Sequence, residues 1–125
     1  MFKIFVVTGS LFAALAVIMG AFAAHGLKTQ LSADMLKVFH TGVQYHMYHA
    51  LGLILVGISA RLAGPAPLIA WSGAAMTVGI LLFSGSLYLL ATTGPRWLGA
   101  ITPLGGMAFI ASWLLLAIAI WRTTA

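Results

Sequence analysis

The strongest constraint on this chain is a repeated one: long apolar stretches with no charge inside them. The first runs from Ile4 to Ala24, with Lys3 just before it and Lys28 just after. The second runs from about Gly42 to Ala60 and ends at Arg61; the third runs from Leu68 to Thr92, before the turn Gly94-Pro95-Arg96. The fourth runs from Leu98 to Trp121 and ends at Arg122. Each is long enough for the roughly 20 helical residues that cross about 30 Å of hydrocarbon.

Composition points the same way. Hydrophobic residues make up 62% of the 125 and charged residues 6%, against roughly 25% charged in a soluble domain. A soluble fold of this length cannot hide that much apolar surface; a bilayer removes the need to. The expectation is an all-α integral membrane protein forming a single helical-bundle domain over residues 1–125, with spans at about 4–24, 42–60, 68–92 and 98–121. The competing count is three, with one stretch held at the interface. Ala21-Phe22-Ala23 resembles a signal-cleavage site, but the preceding apolar run exceeds the roughly 7–15 residues of a signal core, so a retained helix is expected.

Ser32 to Thr41 differs from the rest. Met35, Leu36, Val38 and Phe39 alternate with Asp34, Lys37, His40 and Thr41 at the spacing of a short amphipathic helix. Ser32 suits an N-cap and Asp34 a first turn. This segment is expected as an interfacial helix between spans 1 and 2, or as a direct lead into span 2.

Four spans place the N-terminus, the Arg61–Pro67 turn and the C-terminus on one side of the membrane, here the terminal side. The Ala24–Thr41 segment and the Thr93–Trp97 turn fall on the other, the helix side. Trp71 and Trp121 lie near the first; Tyr45, Tyr48, Tyr88 and Trp97 near the second, as aromatic belts would. Lys3, Arg61 and Arg122 balance Lys28, Lys37 and Arg96, so the positive-inside rule returns a tie. The free N-terminal amine tips the reading towards cytoplasmic termini.

All four histidines, His25, His40, His46 and His49, fall on the helix side. Ser84, Ser86 and Tyr88 approach the same level from span 3, and Thr102 from span 4. Every span thus contributes polar side chains to one end of the bundle, and the other half reads as apolar.

Several strings carry a resemblance: Gly20-Ala21-Phe22-Ala23-Ala24-His25-Gly26-Leu27, Phe39-His40-Thr41-Gly42-Val43-Gln44-Tyr45-His46-Met47-Tyr48-His49-Ala50-Leu51, Leu82-Phe83-Ser84-Gly85-Ser86-Leu87-Tyr88 and Ile101-Thr102-Pro103-Leu104-Gly105-Gly106. In this order they resemble domain of unknown function family 423, small bacterial inner-membrane proteins that include the eukaryotic transmembrane protein 256 type. The resemblance covers nearly the whole chain. It implies a multi-pass protein of the bacterial inner membrane and supplies no biochemistry. Its pattern matches His25, Tyr45, His49, Ser84, Ser86, Tyr88, Thr102 and Pro103 here. His40 and His46 stand where the family more often has glutamine.

The polar cluster of His25, Tyr45, His49, Ser84, Ser86, Tyr88 and Thr102 admits three readings. In the first, its members hydrogen-bond between helices and lock the bundle. In the second, His25, His46 and His49 hold copper or zinc, or His25 and His49 ligate haem from facing helices. In the third, Tyr45, Tyr88 and Trp97 wall a pocket for a lipid headgroup or quinone. Proton-coupled export through a buried carboxylate is disfavoured, because the one acidic residue, Asp34, sits outside the spans. Hydrolysis is disfavoured too, since Ser84 and Ser86 have no buried carboxylate for a triad. The absence of cysteine removes thiolate chemistry. Six scattered Lys and Arg make no basic stripe, so nucleic acid is not an expected partner. The small residues Ala16, Gly20 and Ala24, then Ala75 and Gly79, then Ala108 and Ser112, form ridges for close helix packing.

The reading that follows is a non-enzymatic scaffold, accessory subunit or partner-binding module. It binds no cofactor and works among membrane lipids, other membrane proteins or copies of itself. The alternative is a ligand-binding or redox protein built around His25 and His49.

Overall fold

The computed structural model describes residues 1–123. Helix α1 spans Phe2–His25 and α2 spans Ala33–Ala63. The third long rod is continuous through α3 (Pro67–Gly79), a π-helical turn (Ile80–Ser84) and α4 (Gly85–Thr93). A 3₁₀ turn at Arg96–Ala100 leads into α5 (Thr102–Trp121). Among the described residues, four helices are long and apolar enough to cross a membrane: Phe2–His25, Ala33–Ala63, Pro67–Thr93 and Arg96–Trp121. Their outward faces carry Ile4, Leu11, Val17, Leu104, Met107 and Ile110, all exposed, which only a lipid solvent tolerates in such numbers.

Local chemistry sets the element ends. The Ser32 hydroxyl accepts from the Met35 N–H at 3.2 Å and caps α2, with Asp34 in its first turn. Gly64 ends α2 at φ +88°, a conformation only glycine adopts without strain, and Pro67 opens α3 where its missing N–H costs nothing. Gly94, also at φ +88°, closes α4 through its N–H to the Leu90 carbonyl.

The amphipathic segment 32–41 is not a separate helix. It forms the first turns of α2, because no helix breaker lies between Ser32 and the span. Thirty-one residues reach about 46 Å at 1.5 Å each, some 16 Å more than the hydrocarbon. The projecting end builds a small cap in which Leu27, Phe39 and Ala91 are buried, backed by Leu31 and Leu36.

Helices α1 and α2 form one closely packed pair, and α3 with α5 another, with α2 laid against the α3–α4 rod. A Cβ on Gly9 would lie 2.7 Å from the Ala50 carbonyl, so the first pair touches backbone to backbone. The buried small residues of α1 are Gly9, Ala16 and Ala23, whereas Ala24 is exposed. The expected ridge at every fourth residue is therefore replaced by one at every seventh. Four residues overshoot a turn by about 40°, whereas seven fall short of two turns by about 20° and keep one seam facing a long neighbour.

The terminal half is not wholly apolar. Ser72 of α3 donates to the Ser112 carbonyl of α5 at 2.8 Å, fully buried. Around this bond sit Leu53, Val56, Ile69, Met76 and Phe109, the principal core.

Candidate functional site

His49 faces α5 from the middle of α2. Its Nδ1 lies 2.7 Å from the Tyr45 carbonyl, and the Trp113 indole N–H donates to its Nε2 at 3.1 Å. Indole nitrogen can only donate, so Nε2 must be the lone-pair nitrogen. The proton then sits on Nδ1 and goes to the Tyr45 carbonyl, an assignment fixed by the hydrogen-bond network. His49 is thus a neutral imidazole with both nitrogens engaged. Phe109 stacks on its face, with ring centroids 3.4 Å apart and planes 8° from parallel.

His46 turns the other way. Three residues along a helix rotate the side chain by about 300°, which sends His46 towards α1 and α4. Its Nδ1 pairs with the Tyr88 hydroxyl at 2.8 Å, and Phe12 of α1 meets its ring edge-on at 5.8 Å. The ring is buried, and Nε2 has no hydrogen-bond partner among the described residues.

The hydroxyls fasten the remaining helices. Ser84, at the end of the π turn, donates to the Gly42 carbonyl of α2 at 2.7 Å. The Ser86 hydroxyl donates to the Phe83 carbonyl at 2.9 Å and lies 2.6 Å from Thr102 Oγ1. With its one hydrogen committed, Ser86 accepts from Thr102, which joins α4 to α5.

Of the residues singled out from sequence, His49, Ser84, Ser86, Tyr88 and Thr102 thus each make an interhelix hydrogen bond. Tyr45 contributes its carbonyl, while its phenol ring lies in an outward-opening groove. His25 does not join them: it ends α1 exposed, with no side-chain hydrogen bond among the described residues. The metal set of His25, His46 and His49 is not assembled. No group of three His, Cys, Asp or Glu lies within metal-binding reach among the described residues, because the first is at a helix end and the other two point apart. A His25–His49 haem pair would also have to displace Trp113 from Nε2.

The pocket walled by Tyr45, Tyr88 and Trp97 does not form either. Tyr88 is turned inward to His46, and Trp97 is exposed on the 3₁₀ turn. A different groove exists, of about 580 Å³, between α2 and α5. Tyr45, Tyr48 and His49 make one wall, Phe109, Ile110 and Trp113 the other, and Phe83 of the π turn the floor. Tyr45 and Phe83 rings lie 4.7 Å apart, Phe83 and Phe109 5.4 Å.

Sequence reasoning missed Trp113, Phe109 and the Ser72–Ser112 bond. Trp113 carried a usable signal. A tryptophan deep in a span, away from either belt, must find an acceptor for its N–H. Phe109 carried none, being one apolar residue among many.

The chain is similar to several known membrane proteins. A UPF0382 membrane protein of Bacillus subtilis, YwdK, is 51% identical over 117 residues, covering 94% of this chain and 95% of that protein. A UPF0382 membrane protein of Staphylococcus haemolyticus is 45% identical over 121 residues, covering 96% and 97%. A third, from Staphylococcus saprophyticus, is 46% identical over 121 residues, covering 96% and 98%. No solved structure matches. The family described as "Protein of unknown function (DUF423)" matches residues 19–106, and with relatives this similar along nearly their whole length, the chain belongs to that family of membrane proteins.

Proposed function

We propose that this protein is a non-enzymatic partner-binding module or accessory subunit of the bacterial inner membrane, with cytoplasmic termini. The observation that carries this reading is the state of His49, whose two nitrogens are both consumed by Tyr45 and Trp113. The residue best placed to do chemistry is spent on holding α2 to α5. Ser84, Ser86, Tyr88 and Thr102 are likewise spent on helix joints. The polar cluster acts as a set of rivets, and the work falls to the surface that the rivets hold rigid.

Five interhelix bonds (His49–Trp113, His46–Tyr88, Ser84–Gly42, Ser86–Thr102 and Ser72–Ser112) contribute about 3 kcal/mol together at roughly 0.6 kcal/mol each. Helix α1 presents a broad outward face with Ile4, Val7, Leu11 and Ile18 exposed, the surface on which a partner helix or a second copy would pack.

Photo-crosslinking in native membranes tests this. A photoreactive residue at Val7 or Leu11 should give one discrete protein adduct, absent when the probe is moved to Leu62 beside the Arg61 turn. Differently tagged copies distinguish self-association from a foreign partner. Adducts to lipid alone from both α1 positions would defeat the proposal.

A further inference from the structure

We infer that the groove between α2 and α5 is a binding site for a quinone-type lipid: a flat ring bearing neutral carbonyl oxygens on an apolar tail. The partner-binding reading does not require it, and it does not require that reading.

Depth and access come first. Trp113 lies eleven residues beyond Thr102 at the start of α5, roughly 16 Å along the helix and so near the bilayer centre. Tyr45, Tyr48, Ile110 and Trp113 are all exposed at the groove mouth, which therefore opens sideways into lipid. A ligand must arrive through the bilayer. At about 580 Å³ the groove falls within the roughly 300–1,000 Å³ of small-molecule sites.

The walls then narrow the chemistry. Among the described residues no charged side chain lines the groove, and His49 is held neutral by its two hydrogen bonds, so an ionised headgroup finds no counter-charge. Instead the walls and floor are rings. His49 and Phe109 stand face to face, Tyr45 lies 14° from the plane of His49, and Phe83 bridges Tyr45 to Phe109. His49 and Phe109 cover each other, so the ring surface left for a flat guest is that of Tyr45, Tyr48, Phe83 and Trp113, which suits offset or edge-to-face stacking.

Two polar groups remain uncommitted. The hydroxyls of Tyr45 and Tyr48 have no hydrogen-bond partner among the described residues, and their rings sit 5.8 Å apart along one wall. Phenol hydroxyls close to hydrocarbon can donate to neutral acceptor oxygens. Ring faces below and two donors alongside match a flat carbonyl-bearing ring.

The test uses full-length protein in lipid nanodiscs with a decyl-substituted benzoquinone as probe. Trp71, Trp97 and Trp121 are exposed and are replaced by phenylalanine, so that quenching reports on Trp113 alone. The expected result is saturable quenching that decanol does not reverse. Tyr45→Phe combined with Tyr48→Phe should weaken binding about tenfold. Ile110→Trp should abolish it by filling the mouth, and the lipid-facing control Ile118→Trp should not; because each adds a second indole, these two variants are read by equilibrium binding of radiolabelled probe instead of by quenching. Helicity measured by circular dichroism confirms that each variant folds. Quenching that rises linearly with probe, displacement by decanol, or indifference to loss of both phenols would overturn the inference.

Discussion

The indole N–H of Trp113 meets His49 Nε2 at 3.1 Å and thereby decides where the imidazole proton sits. Of the three roles that the sequence left open for His49, that one bond selects the joint between α2 and α5. Trp113→Phe keeps an aromatic ring but leaves the Nε2 lone pair without a donor. It should destabilise the protein by about 1–2 kcal/mol, the cost of an orphaned buried acceptor. Trp97→Phe, on the exposed 3₁₀ turn, should stay within about 0.5 kcal/mol. Reversible unfolding in mixed micelles of mild detergent and dodecyl sulfate measures both. Equal stability of the two variants would show that the bond contributes nothing.

His25 provides the matching contrast. Depth in the membrane groups it with His49 on the helix side, but it ends α1 exposed and outside the hydrogen-bonded set. His25→Gln should change stability by less than about 0.5 kcal/mol, in the same unfolding assay. A loss comparable to that of Trp113→Phe would show that His25 belongs to the hydrogen-bonded set of the folded bundle after all.

Close approach of backbones gives a second kind of prediction. A Cβ on Gly105 would collide with the backbone of Phe83 in the π turn, which has no side-chain freedom with which to yield. Gly105→Ala should therefore cost at least about 2 kcal/mol through overpacking. A Cβ on Gly85, one residue past the same turn, would meet nothing within 4 Å. Gly85→Ala should be neutral or stabilise by about 0.5–1 kcal/mol through helix propensity. Opposite signs at these two glycines, read as shifts in thermal aggregation temperature, check both.

The architecture was legible because charge spacing and hydrophobic run length are one-dimensional quantities that the bilayer reads directly. The rivets were partly legible for the same reason: Ser84, Ser86, Tyr88 and Thr102 share a depth, and depth follows from counting residues. Azimuth was not legible. His46 and His49 sit three apart, a spacing that suggests one face, yet Tyr88 takes one and Trp113 the other. The π turn at Ile80–Ser84 was invisible too, since nothing in Ile-Leu-Leu-Phe-Ser distinguishes a five-residue turn from an ordinary one. The continuity of α2 through Thr41 and Gly42 was one of two alternatives the sequence offered, and the change from amphipathic to apolar pattern did not choose between them. That change marks where the helix leaves the interface, not where it ends.

The His46–Tyr88 pair permits a cleaner measurement than any single substitution. His46→Phe removes the unpartnered Nε2 but strands the Tyr88 hydroxyl; Tyr88→Phe strands Nδ1 instead. Each single change should cost about 1–2 kcal/mol, because one buried polar atom loses its partner. The double change replaces both partners with apolar rings of similar shape, a substitution that can be nearly neutral. It should be more stable than the sum of the single losses predicts, by about 0.5–1.5 kcal/mol of coupling energy. A complete double-mutant cycle in mixed micelles supplies the four stabilities. Strict additivity would show that the 2.8 Å contact carries no energy, and that His46 is held in place by its packing, including the ring contacts with Phe12 and Tyr88.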